Sequence, residues 1–126
     1  WGVDNRTVAI RIPSSSADAI RLEHRVAGAD ANPYLVVAAL LSGIHHGITK
    51  KIKPPKISTG DASVNNPPSL PLSLVESLNT FTKSTFIKEY FGEDFRGHYS
   101  IFKTIEKERF ERHVTPLELD WYLRTV

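Results

Sequence analysis

Across Thr7 to Ile12 the side chains alternate, with Val8, Ile10 and Ile12 on one face and Thr7, Ala9 and Arg11 on the other, which is the period of a strand. Pro13 cannot donate to a ladder and Ser14 to Ala19 is loop chemistry, so this strand ends there. A second alternation runs from Ile20 to Val26. It sets Leu22, His24 and Val26 on one face and Arg21, Glu23 and Arg25 on the other. The short connection makes an antiparallel hairpin the simplest pairing, and it brings Arg11 alongside the ionic face of the second strand. Neighbours on that face repeat every ~7 Å, a spacing that suits an anionic ligand, or an anion with a metal ion, better than one tight ion pair.

Asn32 before Pro33 is a helix start, because the Asn side chain accepts from the first free amides and proline gives up a donor that has no partner there. The helix is expected from Pro33 to about His46, with Gly47 as its stop. Apolar residues from Tyr34 to Leu41 surround the axis, which predicts burial on nearly all sides. Two proline pairs and a polar composition make 50–69 a long surface loop without a regular element. Helical spacing returns with Leu74, Val75, Leu78 and Phe81, then with Phe86, Ile87, Tyr90 and Phe91 before Gly92, then from Phe95 through Ile105 towards His113. Thr115-Pro116-Leu117-Glu118 is a capping box opening a last helix with Leu119, Trp121 and Tyr122. The fold class is α+β, mainly helical, with about five helices and an N-terminal antiparallel β-hairpin. Its segments are the hairpin at 1–26, the buried helix at 32–48, the loop at 50–69 and the helical end at 70–126.

Composition narrows this picture only a little. Hydrophobic residues at 40% and charged residues at 24% exclude global disorder, and a net charge of +2 is too small to indicate a nucleic-acid binder. Cysteine is absent, so disulfides and thiolate metal sites are excluded. No stretch approaches the ~20 apolar residues of a membrane span, and no signal-peptide pattern opens the chain. A cytoplasmic protein without nucleic-acid or membrane partners is expected. Methionine is absent too, and the chain opens with Trp1-Gly2-Val3-Asp4, so a piece of a longer chain is expected.

Arg6, Arg11, Arg21 and Arg25 fall within twenty residues on two strands expected to pair. A charged strand face is most often simply solvated. Arginines, however, carry planar forks suited to phosphate and carboxylate, and four of them here meet one carboxylate, leaving a positive excess that an anion would relieve. Glu23 is either an ion-pair partner or the source of one oxygen for Mg²⁺, which takes one or two carboxylates plus substrate phosphates. His45 and His46 point about 100° apart on a helix and do not chelate one metal. His24 on the apolar face reads as a hydrogen-bonded core residue, and the lysines of 50–56 as a solvated loop. No P-loop, Rossmann glycine pattern, nucleophile elbow or zinc motif is present.

Asn5-Arg6-Thr7, Ile10-Arg11-Ile12-Pro13, Arg21-Leu22-Glu23-His24-Arg25 and Ala31-Asn32-Pro33-Tyr34-Leu35, in this order, resemble the C-terminal part of the glutamine synthetase catalytic domain. The resemblance covers essentially the whole chain. Trp1-Gly2 ahead of Asp4-Asn5-Arg6-Thr7, with Ala27-Gly28-Ala29-Asp30, is similar to the γ-glutamylpolyamine (γ-glutamylputrescine) synthetase branch. It implies an ATP-dependent ligase that phosphorylates the γ-carboxylate of glutamate and lets an amine such as putrescine displace the phosphate. By motif position it implies Glu23 as a ligand of Mg²⁺ (or Mn²⁺) and Arg25 as the holder of the glutamate carboxylate. Arg6 would be the catalytic arginine on the transferring phosphoryl group, Arg11 a contact to the ATP phosphates, and Arg21 a further candidate for those phosphates. The implied partners are glutamate, an amine, the upstream part of the same chain with its remaining metal ligands, and further copies in a homo-oligomeric ring. By itself the segment would be inactive. One departure is the loop Ser14 to Ala19, which carries Asp18 and no basic residue where classical members often place a lysine near ATP. An ammonia-using glutamine synthetase and a non-catalytic assembly or regulatory relative are the alternative readings.

Overall fold

Ile10 and His24 are partners across an antiparallel ladder in a computed structural model that describes residues 1–65 and 70–125. Strand β1 is Gly2–Val3, β2 is Ile10–Ile12 and β3 is Glu23–His24, in the order β1-β2-β3. The expected hairpin is therefore present, with Arg11 opposite Glu23. Its strands are shorter than the alternation predicts. Asn5 Oδ1 accepts from the Thr7 N–H at 2.9 Å and from the Thr7 hydroxyl at 2.6 Å, so a side-chain turn occupies what reads as the start of the first strand. Residues Ala17–Ala19 form a 3₁₀ turn within the connection, and the Arg25 N–H still reaches the Ala9 carbonyl at 2.9 Å.

Unexpectedly, β1 pairs parallel to β2, with Gly2 beside Arg11 and Val3 beside Ile12. A Cβ added to Gly2 would lie 2.8 Å from Asn5 Cβ and 3.0 Å from the Ser58 carbonyl oxygen, closer than side chains tolerate. The same stretch straps the following loop in place. Trp1 Nε1 donates to the Pro55 carbonyl at 2.9 Å, Asn5 Nδ2 to the Gly60 carbonyl at 2.8 Å, and the Ala62 N–H to the Thr7 hydroxyl at 2.9 Å. Residues 50–65 are thus not free of regular structure. A short helix, Ala62–Asn65, is seeded by Asp61, whose carboxylate accepts from the Ser63 N–H at 2.9 Å and its hydroxyl at 2.6 Å. Residues 66–69 of the expected loop lie outside the described residues.

Helix α1, Pro33–Thr49, starts as expected, with Asn32 Oδ1 accepting from Tyr34 N at 3.0 Å and Leu35 N at 3.2 Å. It passes through Gly47 rather than stopping there. Lys51 takes the left-handed conformation at φ 52°, and the Ile52 N–H reaches the Gly47 carbonyl at 2.9 Å while the Lys51 N–H reaches Ile48 at 3.2 Å. That is a Schellman termination with lysine at the position glycine usually fills. The expected burial on nearly all sides is wrong for this chain. Val36, Leu40 and Gly43 share a cavity of about 390 Å³ with Ile10, Leu22 and His24, whereas Tyr34 is 84% and Ile48 73% exposed and no residue of the helix is buried. The three-stranded sheet is too small to cover more than one side. Helix α2 is the short Ala62–Asn65.

The chain divides into two units, Trp1–Pro68 and Ser69–Val126. The second contains α3 (Leu74–Lys83), α4 (Thr85–Phe91), α5 (Glu93–Glu111) and α6 (Pro116–Tyr122), so the described residues hold six α-helices where five are expected, α2 being the addition. Ring contacts join α3 to α5: Phe81 lies 5.2 Å from Tyr99 and 6.5 Å from Phe95, centroid to centroid. Phe95 stacks on Phe91 at 5.3 Å and on Tyr99 at 5.5 Å. Gly92 turns between α4 and α5 at φ 88°, and α6 opens on the expected capping box, with Thr115 N donating to Glu118 Oε2 at 2.7 Å.

Candidate phosphate and metal site

Cross-strand register builds the site. Because Arg11 and Glu23 are ladder partners, their side chains leave the same face of the sheet, and Arg11 Nη1 donates to Glu23 Oε2 at 2.8 Å. Arg21 sits two residues from Glu23 on the same side and donates through Nη2 to Oε1 at 3.2 Å. Both carboxylate oxygens thus carry one guanidinium each. The ~7 Å repeat along the strand missed this tight pairing, because the close neighbour comes from across the ladder.

A second carboxylate joins them. Asp4 follows β1, its N–H donates to the Ile12 carbonyl at 3.0 Å, and its Oδ1 accepts from Arg11 Nη2 at 3.1 Å and from the Ser14 N–H at 2.9 Å. The expectation of four guanidinium groups around one carboxylate is corrected accordingly: Arg11 is bracketed by two. Asp4 was legible only as part of a motif, since nothing local shows that a parallel strand will lay it against Arg11.

Arg25 and Arg6 stand apart from this network. Arg25 Nη2 donates to the backbone carbonyl of Arg6 at 2.9 Å, which spends one corner of its fork on main chain. The Arg6 guanidinium is exposed, has no partner among the described residues, and borders a cavity of about 580 Å³ with Asn5, Ser58 and Gly60. Four arginines against two carboxylates leave a local positive excess, carried chiefly by Arg6 and Arg25. His24 faces α1 rather than the ionic side.

Electrostatics follow the contacts. The hydrogen bond from Arg11, helped by the charges of Arg11 and Arg21, holds the Glu23 carboxyl below its ordinary range against the opposing effect of partial burial. Asp4 is held low first by the Ser14 hydrogen bonds and then by Arg11. Arg11 is pushed up, chiefly by Glu23. Both carboxylates are acceptors only, and all the guanidinium groups are donors.

These groups fit a divalent cation as contributors of one ligand rather than a whole shell. Each Glu23 oxygen accepts one hydrogen bond from an arginine and keeps a further lone pair, while among the described residues no group of three His, Cys, Asp or Glu side chains could hold a metal ion. Phosphate oxygens fit as well. Nη1 and Nη2 of Arg11 each spend one N–H on a carboxylate and keep another, and Arg6 has its whole fork to offer.

A carboxylate between arginine forks, beside further arginines, is a set of groups whose chemistry suits phosphate together with a divalent cation. A family model described as "Glutamine synthetase, catalytic domain" matches residues 1–122, and the chain belongs to that family. It is 39% identical over 124 residues to γ-glutamylputrescine synthetase PuuA of Escherichia coli (strain K12), covering 98% of this chain and 26% of that protein. To glutamate–isopropylamine ligase of a Pseudomonas species it is 41% identical over 127 residues, covering 98% and 28%. Glutamine synthetase of Methanosarcina mazei is 33% identical over 131 residues, covering 98% and 29%. A solved structure, "Apo GmaS without ligand", shares the fold with a TM-score of 0.81 at 27% identity, covering 98% of this chain and 29% of that one. The chain spans about a quarter of the length of the curated relatives it matches. The family and the α+β fold expected from the motifs are thereby established.

Proposed function

We propose that this chain supplies one wall of the active site of an ATP-dependent glutamate–amine ligase, which forms a γ-glutamyl amide through γ-glutamyl phosphate with an amine such as putrescine as acceptor. The observation that carries the reading is the Arg11–Glu23–Arg21 chain of ion pairs, with Arg6 uncommitted on a cavity that Asp4, the other partner of Arg11, also lines. Phosphoryl transfer asks a protein mainly for positioning and for charge stabilisation on non-bridging oxygens, the task of arginines and Mg²⁺. In this reading Glu23 gives one oxygen to Mg²⁺ or Mn²⁺, which would neutralise phosphate charge. Arg11 and Arg21 offer their remaining N–H groups to the ATP phosphates. Arg6 meets the transferring phosphoryl group, and Arg25 turns the rest of its fork to the glutamate carboxylate.

The acceptor is read from the relatives, among which a putrescine-using and an isopropylamine-using ligase stand at the higher identities. An ammonia-using enzyme is the second reading, favoured by the match to a glutamine synthetase. Remaining metal ligands come from upstream in the same protein, which works in the cytoplasm as a homo-oligomeric ring. The full-length protein, assayed for phosphate release with ATP, Mg²⁺ and glutamate against ammonia, putrescine and longer polyamines, is expected to turn over fastest with putrescine. Preference for ammonia would replace the polyamine reading, and no turnover with any amine would overturn the ligase.

A further inference from the structure

Arg11 is held differently from the other arginines. Its side chain is 17% exposed against 60% for Arg21, and its Nε is buried without a hydrogen-bond partner among the described residues. The fork is therefore oriented only through its terminal nitrogens, Nη1 on Glu23 and Nη2 on Asp4. Asp4 is itself fixed at φ 49°, in the left-handed region that L residues other than Asn and Asp enter at a cost. The Ile12 carbonyl, the Ser14 amide and Arg11 hold it there.

We propose that Asp4 is a positioning residue for the cation ligand Glu23, acting through Arg11. This rests on the reading of Glu23 given above. A guanidinium facing a single carboxylate closes on it as a fork-to-fork pair, with two N–H groups on its two oxygens. By occupying Nη2, Asp4 limits Arg11 to one bond on Oε2. Glu23 is thereby kept aimed, and its oxygens keep lone pairs for a cation. With the Asp4 charge removed, both terminal nitrogens turn to Glu23 and compete with the cation.

The test titrates MnCl₂ alone into the full-length protein and its variants and follows bound Mn²⁺ by electron paramagnetic resonance. Asp4→Asn tolerates the left-handed backbone and keeps a neutral oxygen where Oδ1 now accepts from both the Ser14 amide and Arg11 Nη2, so it removes only the charge that holds Nη2 against the pull of the Glu23 carboxylate. Its Mn²⁺ dissociation constant is expected to rise about 10-fold, the lower end of what loss of an outer-shell partner causes. The KM for glutamate should stay put, because Arg25 is anchored on the Arg6 carbonyl instead. In an Arg11→Gln background, Asp4→Asn should have no further effect. Undiminished weakening there would show that Asp4 does not act through Arg11 and would overturn the proposal. Wild-type Mn²⁺ binding by Asp4→Asn overturns it too: if Glu23→Gln weakens binding in the same series, the role of Glu23 stands and only that of Asp4 falls, whereas if Glu23→Gln is also silent both fall.

Discussion

Among the four arginines, the partner each has already engaged decides what it can still do. Arg11 spends a hydrogen on each of two carboxylates, whereas Arg25 spends one corner on a backbone carbonyl that carries no charge. Its remaining N–H groups keep their full attraction for a substrate carboxylate. In the full-length ligase, Arg25→Ala should raise the KM for glutamate by roughly 10- to 100-fold, the equivalent of one lost charged hydrogen bond, with much less change in the KM for ATP. Steady-state kinetics with each substrate varied in turn checks this. Equal effects on both would remove the assigned role. This contrast between Arg11 and Arg25 was invisible along the chain, where all four read alike as fork-bearing cations.

At the scale of elements, the starts of helices were the most legible features. Asn32 before Pro33 and the Thr115–Glu118 box each act within one turn, through hydrogen bonds between residues two or three apart, so tertiary packing has little chance to override them. Strand lengths were less legible, because Asn5 captures Thr7 in a turn that the alternation of Thr7 to Ile12 does not register. The α6 box also carries a pH dependence. Hydrogen bonds from Thr115, the backbone one foremost, hold the Glu118 carboxyl below its ordinary range. A depressed folded-state value means that the stabilisation is complete above the unfolded pKa of about 4.3 and is lost as pH falls through the lower folded value. Titrating the full chain by NMR, the Thr115 amide shift should therefore stay constant from neutral pH to about 5 and move only in more acid solution. A midpoint above the ordinary glutamate value would contradict the capping geometry.

For the whole chain, the most consequential property is how little of it is buried. Val8 and Ser100 are among the few buried side chains, and α1 shows Tyr34, Val37, Leu41, Ile44 and Ile48 to solvent along one stripe. Described residues contain no helix long and apolar enough to cross a membrane. Contiguous apolar surface of this kind drives association in water. Residues 1–126 expressed by themselves should accordingly bind a hydrophobic dye and self-associate in sedimentation experiments, and Leu41→Lys with Ile48→Lys should suppress both. The same preparation should release no phosphate from ATP with glutamate and putrescine. Robust turnover would show that the wall described above is already a complete site.

What the sequence by itself determined were the features that depend on neighbours a few residues away: the α1 and α6 starts, the helical spacing of the aromatic residues, and the antiparallel alternation that puts Arg11 on the same face as Arg21, Glu23 and Arg25. The family also was legible there, since its motifs are short and ordered. Only the tertiary structure decided what depends on chain segments meeting through space. A parallel β1 lays Asp4 on Arg11, Trp1 and Asn5 strap residues 55–60, and a small sheet covers α1 on one side only. Local rules follow from hydrogen bonds closed within one turn or one ladder step. Pairings of distant segments follow from which surfaces can approach, as at Gly2, where the absence of a Cβ lets Asn5 and Ser58 close in.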